Sequence, residues 1–327
     1  MKQTNDLYPH LTIAIPHPIY NFDNIKQKYS KLDHASKDGA ALAGLYEQMV
    51  KNGTERFLVS PVSAACIDPM YETCLNFTPL IDELRGAILL ATEDRTPLAM
   101  EPILLLGESG VGKTHFAMMF GKLLGTGFSF IPMSQMTADW ILDGTSSTLN
   151  GARKGKIAET LIEGIYANPV VVIDDIDEVN GKSECDPMGT IYKLLGSDTS
   201  KVFVDKYVDV AMDASNILFI ATANDESCIP KQVLNQMKVV DVKKPTLEHM
   251  RAISLVVYTE ILTEHHWNFV SELSDDVLDT ITMSPLQTMK FKLMYAFRMA
   301  KLAGRDHLIP GDLACASHSR QRMGFLD

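Results

Sequence analysis

The stretch whose reading decides this chain is Gly107-Glu108-Ser109-Gly110-Val111-Gly112-Lys113-Thr114. It satisfies G-x-x-x-x-G-K-[ST] at every fixed position, follows the apolar run Ile103 to Leu106, and precedes a helical pattern from His115 to Leu124. A strand, a glycine turn and a helix in that order are what a phosphate-binding loop requires. The glycines let successive backbone N–H groups converge on one anion with no Cβ in the way. The helix behind the turn adds the positive end of its dipole. Glu108, Ser109, Gly110, Val111, Gly112, Lys113, Thr114 and His115 are therefore the expected phosphate-binding residues. Lys113 is expected to reach the β- and γ-phosphates and Thr114 to hold Mg²⁺ through its hydroxyl, so ATP and Mg²⁺ are the expected ligands.

Downstream, Val170-Val171-Val172-Ile173 is a run of β-branched residues, the mark of a parallel strand covered on both faces. It ends in Asp174-Asp175, at the carboxyl end of a strand, where ligands sit in open α/β sheets. Asp174 is expected to hold Mg²⁺ through water and Asp175 to orient an attacking water. A later apolar run ends Ala221-Thr222-Ala223-Asn224, and an Asn there offers hydrogen bonds to both the water and a γ-phosphate oxygen. Strands at Phe128 to Pro132, Asn216 to Ala221 and Lys238 to Val242 alternate with helices at Lys156 to Tyr166 and Asp186 to Leu195. This rhythm predicts an α/β fold with a doubly wound, mostly parallel sheet over residues 76–244.

After Pro245 the strand signals stop. Leu247 to Glu264, Asp275 to Thr282, Leu286 to Ala303 and Pro310 to Arg320 all read as helices, which predicts a small all-α lid over residues 245–327. In the third, Leu286, Met289, Leu293, Ala296, Phe297 and Ala300 form an apolar stripe in which Met is core filler. Upstream of the loop, Thr78-Pro79 opens a helix with a cap and a first-turn proline. Residues 1–75 are broken by prolines at 9, 16, 18, 61 and 69, with one amphipathic helix at Ser36 to Val50. They are expected to form a mainly helical N-terminal extension.

The chain has 327 residues with 46% apolar and 22% charged, which is ordinary for a globular protein. A net charge of −11 argues against broad attraction to nucleic acid or anionic lipid. The best candidate for a local basic face for DNA is Lys290, Lys292, Arg298, Lys301 and Arg305, on one predicted helix. The five cysteines are an odd number without paired metal spacing, and fit a reduced, cytoplasmic setting. No apolar run reaches the roughly 18 residues of a membrane helix, and no secretory signal is visible.

From about residue 78 to 306 the chain resembles an AAA+ ATPase module, in particular that of Lon-type proteases. The resemblance rests on the loop, on Asn168-Pro169-Val170 through Asp177, and on Asp186-Pro187 with Phe203, Asp205 and Tyr207. It rests also on Ala221 to Asn224 with Ile229-Pro230 and Leu234, and on Gly151 to Lys156 around the first pore loop. It implies a homo-oligomeric ring, most often of six, that binds ATP between subunits and acts on a protein client or partner subunit.

Several positions depart from the family's pattern. The serine–lysine peptidase that follows the lid in that family is not found before Asp327, so no protease activity is expected of this polypeptide. The usual Asp-Glu pair is Asp174-Asp175, one methylene shorter. The arginine finger, in a Leu-Asp-Arg-Met setting, is replaced in Leu234-Asn235-Gln236-Met237 by the neutral amide of Gln236. The second-sensor arginine is missing near Pro285, Leu286 and Gln287, with Lys290 as a candidate substitute. The pore aromatic is Leu149, followed by Asn150, with Trp140 nearby. ATP binding is thus expected to be complete and hydrolysis thinned. The expected function is an AAA+ ATPase that remodels a protein partner. A weakly catalytic or non-catalytic ATP-dependent switch and a DNA-associated ATPase are the alternatives. Lys231 or Lys238, or a partner subunit, are candidates for the missing charge.

Overall fold

The computed structural model describes residues 11–134, 141–146, 151–178 and 187–314. Trp140, Leu149, Asn150, Cys185, Asp186, Cys315 and the later part of the helix expected to reach Arg320 lie outside them. The elements run β1 (Leu11–Pro18), α1 (Phe22–Tyr29), α2 (Lys37–Asn52), β2 (Glu55–Pro61), the single turn α3 (Met70–Thr73) and α4 (Thr78–Glu93). Next come β3 (Ile103–Leu106), α5 (Lys113–Leu124), β4 (Phe128–Pro132), α6 (Lys156–Glu163), β5 (Val170–Asp174), α7 (Pro187–Leu195), β6 (Phe203–Val204) and β7 (Ala211–Met212). The rest is β8 (Leu218–Ala223), α8 (Lys231–Leu234), β9 (Lys238–Asp241), α9 (Leu247–His265), α10 (Asp275–Thr282), α11 (Leu286–Leu302) and α12 (Pro310–Ala314).

Five strands form one parallel sheet in the order β4-β5-β8-β3-β9. The two strands with unbroken apolar or β-branched runs, β5 and β8, are buried along their whole length, as residues covered on both faces must be. Because all five strands run the same way, their carboxyl ends share one edge. Leu106 pairs with Ala223 and Ile173 with Ala221, so the segments leaving β3, β5 and β8 emerge side by side.

The described residues divide into two compact units. The first takes in residues up to Asp68, Pro79–Gly107 and Lys113–Asp241; the second takes in Pro69–Thr78, Glu108–Gly112 and the chain from Val242. The core of the second unit is helical. Met250, Tyr258, Ile261, Ile281, Met289, Leu293 and Phe297 are buried together, with the rings of Tyr258 and Phe297 stacked at 5.2 Å. The α11 stripe read from the sequence is the one that faces this core. The basic set assigned to that helix is less uniform than expected. Arg305 lies beyond the helix end and makes a bidentate pair with Asp312 (2.8 and 2.7 Å), while Lys290 pairs with Glu264 at 3.0 Å.

The leading segment holds two strands that the periodicity did not reveal. β1 and β2 pair antiparallel in a two-stranded ribbon. Pro16 and Pro18 read as breakers, but β1 is an edge strand, where a missing N–H costs no ladder bond. Between them, Ser36 caps α2 by accepting the Gly39 N–H at 3.0 Å, and Leu42, Leu45, Tyr46 and Met49 enter the same core as Ile157, Leu161, Val171 and Phe219. Arg56, 3% exposed, joins ribbon to helix. Its guanidinium donates to the carbonyls of Leu161 (2.9 Å) and Ile162 (2.8 Å) in the last turn of α6, where a cation complements the orphan carbonyls. It also donates to Gly53 O and the Tyr20 hydroxyl.

Two local expectations are corrected. α6 stops at Glu163 rather than Tyr166: after Gly164 the chain extends and pairs with β2, with Phe57 N–H on Ile165 O (2.9 Å) and Ala167 N–H on Phe57 O (2.8 Å). Thr78 does not cap α4. The preceding turn Leu75–Phe77 is already 3-10 helical, so no extended cap residue exists, and the Thr78 hydroxyl donates back to Leu75 O at 2.7 Å.

Asp205 is fully buried and gathers three backbone donors, Gly155 N–H at 2.7 Å, Tyr207 N–H at 2.9 Å and Val208 N–H at 3.0 Å. Burial pushes its carboxyl up to about 6, against the pull of those donors, and the nearby Asp143 adds to the rise. A folded-state value above the ordinary 3.8 means that this group's stabilisation is complete below pH 3.8 and lost as pH rises through about 6. The stability of the wild type relative to Asp205→Asn is therefore expected to fall between pH 4.5 and pH 7, measured by urea denaturation. A difference that is flat or rises with pH contradicts this.

Candidate functional site

The turn Glu108–Gly112 groups with the second unit. Gly110 and Gly112 have φ of 84° and 100°, left-handed conformations that exclude most side chains and explain the two glycines. Asn76 holds the turn by donating its amide to Val111 O (3.1 Å) and Lys243 O (3.0 Å), and Lys244 pairs with Glu108 at 2.5 Å. The carboxamide of Gln287 lies 3.7 Å from the position a Cβ on Gly110 would occupy. Lys290, the candidate substitute for a second-sensor arginine, is on a different errand, paired with Glu264. Near the turn the lid presents a neutral amide.

The remaining site residues belong to the first unit. α5 begins at Lys113, two residues earlier than its apolar pattern, so Lys113 and Thr114 occupy its first turn and His115 is exposed beside them. Lys113 is 6% exposed, and its ammonium donates to Gly107 O (2.6 Å) and Asn224 Oδ1 (2.9 Å). Burial pulls its pKa down, opposed by the charges of Asp175, Asp177 and Asp174. The Thr114 hydroxyl donates to Asp174 Oδ1 at 2.7 Å. Gly107 N–H bonds Ala223 O at 3.2 Å, so the start of the loop and the end of β8 are tied directly. The sheet thus brings Lys113, Thr114, Asp174, Asp175 and Asn224 to one edge, although they are far apart in the chain.

Asp175 adopts φ 52°, a left-handed conformation that Asp tolerates better than most residues. Its carboxyl is raised, first by burial and then by Asp174, Glu178 and Asp177, with Lys113 opposing. Chemically, the cluster offers one cation, one hydroxyl beside a carboxylate, and a second carboxyl whose pKa is raised by burial and by its acidic neighbours.

Two residues at this edge escaped the sequence reading. Thr222, fully buried in β8, accepts the Asp175 N–H (2.9 Å) and donates to Asp174 Oδ1 (2.7 Å). Inside an apolar run it reads only as a β-branched strand former. Asp177 accepts the N–H groups of Asn224 and Asp225 through one oxygen, both at 2.9 Å. Its signal was its place two residues after the acidic pair. Gln236 stands in the first unit with its side-chain oxygen buried and without a hydrogen-bond partner among the described residues. Lys238, another candidate for the missing charge, pairs with Glu83.

The sequence profile of the ATPase family associated with various cellular activities (AAA) matches residues 103–243. That segment holds the loop, the sheet and every acidic residue of the cluster, and it is an AAA ATPase domain. The chain is 34% identical over 152 residues to the Lon protease of Chlamydia muridarum, covering 46% of this chain and 19% of that protein. It is 31% identical over 169 residues to Lon protease 1 of Thermus thermophilus, covering 51% and 21%. The chain thus spans about a fifth of the length of these relatives. Among solved structures it is similar to the RuvB Holliday junction branch migration motor of Thermotoga maritima, at 13% identity with a TM-score of 0.50, covering 73% of this chain and 67% of that one. A mutant of the same RuvB gives 0.52 at 12% identity, which shows a shared fold. Among the described residues no helix is long and apolar enough to cross a membrane.

The Asp177 bridge gives a direct expectation. Hydrogen bonds to a charged group contribute about 1.5–3 kcal/mol. Asp177→Ala is therefore expected to speed amide hydrogen exchange at Asn224 and Asp225 by about tenfold or more, read by mass spectrometry, with the β5 amides unchanged.

Proposed function

We propose that this chain binds ATP·Mg²⁺ on the Gly107–Thr114 turn and hydrolyses it slowly, as a cytoplasmic, ring-forming AAA+ subunit that remodels a protein partner. The observation that carries this reading is the 2.7 Å hydrogen bond between the Thr114 hydroxyl and Asp174, one residue from the buried Lys113. A hydroxyl and a carboxylate in contact, directly after a buried lysine and preceded in sequence by two left-handed glycines, fit a magnesium nucleotide. Thr114 and Asp174 would hold the Mg²⁺, Asp174 through water. Bound there, the metal supplies charge neutralisation at the phosphate oxygens. Lys113 exchanges its bonds to Gly107 O and Asn224 for phosphate oxygens, and the turn N–H groups with Ser109 and His115 complete the cradle. Asn224, released from Lys113, and Asp175 orient the attacking water. The raised Asp175 carboxyl makes it a more basic acceptor than an ordinary aspartate, and its short side chain sets it back from its target.

Slow turnover follows from two amides. By the resemblance, Gln236 takes the place of the family's arginine finger, and the Gln287 amide lies 3.7 Å from where a Cβ on Gly110 would be. An arginine finger contributes about 10³–10⁵ in rate, or roughly 4–7 kcal/mol of barrier. Gln236 also favours a second reading, an ATP-dependent switch in which binding rather than turnover is the working event. The DNA-associated alternative draws less support, since Lys290 and Arg305 of its basic face are engaged by Glu264 and Asp312.

Lys113→Ala is expected to abolish ATP binding by calorimetry; undiminished affinity would falsify the loop assignment. Gln236→Arg is expected to raise steady-state phosphate release by about tenfold or more, a small share of what an arginine finger contributes. No gain in an assembled oligomer rejects the empty finger position as the limit on turnover.

A further inference from the structure

At the edge where β5 and β8 end side by side, a single hydroxyl bonds both the carboxylate of Asp174 and the backbone of Asp175. The Thr222 side chain is fully buried, so water cannot take its place. The backbone N–H of Asp175 can only donate, and it donates to Thr222 Oγ1 at 2.9 Å. The one proton of that hydroxyl is thereby committed to its other partner, Asp174 Oδ1, at 2.7 Å. Thr114 delivers a second O–H to the same oxygen, also at 2.7 Å. Two donors, one from α5 and one from β8, therefore converge on one oxygen of the Asp174 carboxylate and orient it. The same Thr222 oxygen anchors the left-handed turn at Asp175, φ 52°, and so sets where the second carboxyl departs. Both anchors stand on a strand buried at every residue, a rigid platform.

We propose that Thr222 is a positioning residue for the divalent cation: it holds the Asp174 carboxylate in the orientation that shares a metal with Thr114 and fixes the turn that aims Asp175. The inference rests on the Mg²⁺-nucleotide reading of this site. It assigns Thr222 no contact with substrate. Its effect is on how much Mg²⁺ strengthens nucleotide binding, since removing such an outer support of a metal ligand typically costs about 10–100-fold in metal affinity.

The test is calorimetric titration of the full chain with ATP, once with Mg²⁺ and once with EDTA, in the wild type, Thr222→Val, Thr222→Ser and Thr222→Cys. Valine keeps the shape and removes both hydrogen bonds; serine keeps both; cysteine keeps a weak version. The Mg²⁺-conferred gain in affinity is expected to fall by about tenfold in the valine variant, with metal-free affinity unchanged. Serine is expected to restore the gain, and cysteine to fall between. A valine variant with the wild-type gain, or one that loses metal-free and Mg²⁺ affinity alike, overturns the inference. Should the valine variant not fold, the cysteine variant decides, and an undiminished gain there is equally fatal. A wild type that binds no ATP in either condition removes the functional reading itself and this inference with it. A wild type with a Mg²⁺ gain that valine leaves intact overturns this inference alone.

Discussion

Thr114 and Asp174 lie 60 residues apart in the chain and touch at 2.7 Å. That contact depends on the parallel sheet. β3 launches the loop and α5, β5 ends at Asp174, and β8 lies between them, with Leu106 level with Ala223 and Ile173 level with Ala221. A one-residue slip in either pairing would turn each inward side chain to the opposite face and separate the hydroxyl from the carboxylate. Both β5 and β8 are buried along their whole length, with neither strand offering a face to water. The chemistry at the sheet edge thus depends on the pairing register behind it.

The polar groups at this edge are laced in both directions. A β8 residue, Thr222, holds the acids that end β5, and Asp177, just beyond β5, holds the backbone at Asn224 and Asp225 just beyond β8. Such reciprocal ties link the end of each strand to the segment that leaves the other. The left-handed Asp175 fits this picture. Asp tolerates that conformation through its short polar side chain, and a longer residue gains reach at a cost in backbone strain. The shorter acid and the anchored turn therefore go together.

The leading segment is part of the same physical system. Its helix α2 shares a core with α6 and the sheet, and Arg56 satisfies carbonyls at the end of α6 that would otherwise face an apolar interior. Burying a cation is costly unless its donors are all used, and here backbone carbonyls and a tyrosine hydroxyl use them.

Much was legible in the chain. The glycine turn, the run Val170 to Ile173, the helical stripe of Leu286 to Ala300 and the positions of Lys113, Asp174 and Asn224 all carry their signal in local pattern, because periodicity and turn chemistry depend on neighbours in sequence. Four things were decided only by tertiary structure. The β1–β2 ribbon forms because an edge strand can absorb Pro16 and Pro18. Ile165 to Ala167 leave the helix because β2 offers them a strand partner. Lys290 is taken by Glu264, a residue on another helix. The hydroxyl of Thr222 gains its place between two acids only when β8 lies against β5, and nothing in its own stretch of sequence distinguishes it from a threonine chosen for its branch at Cβ.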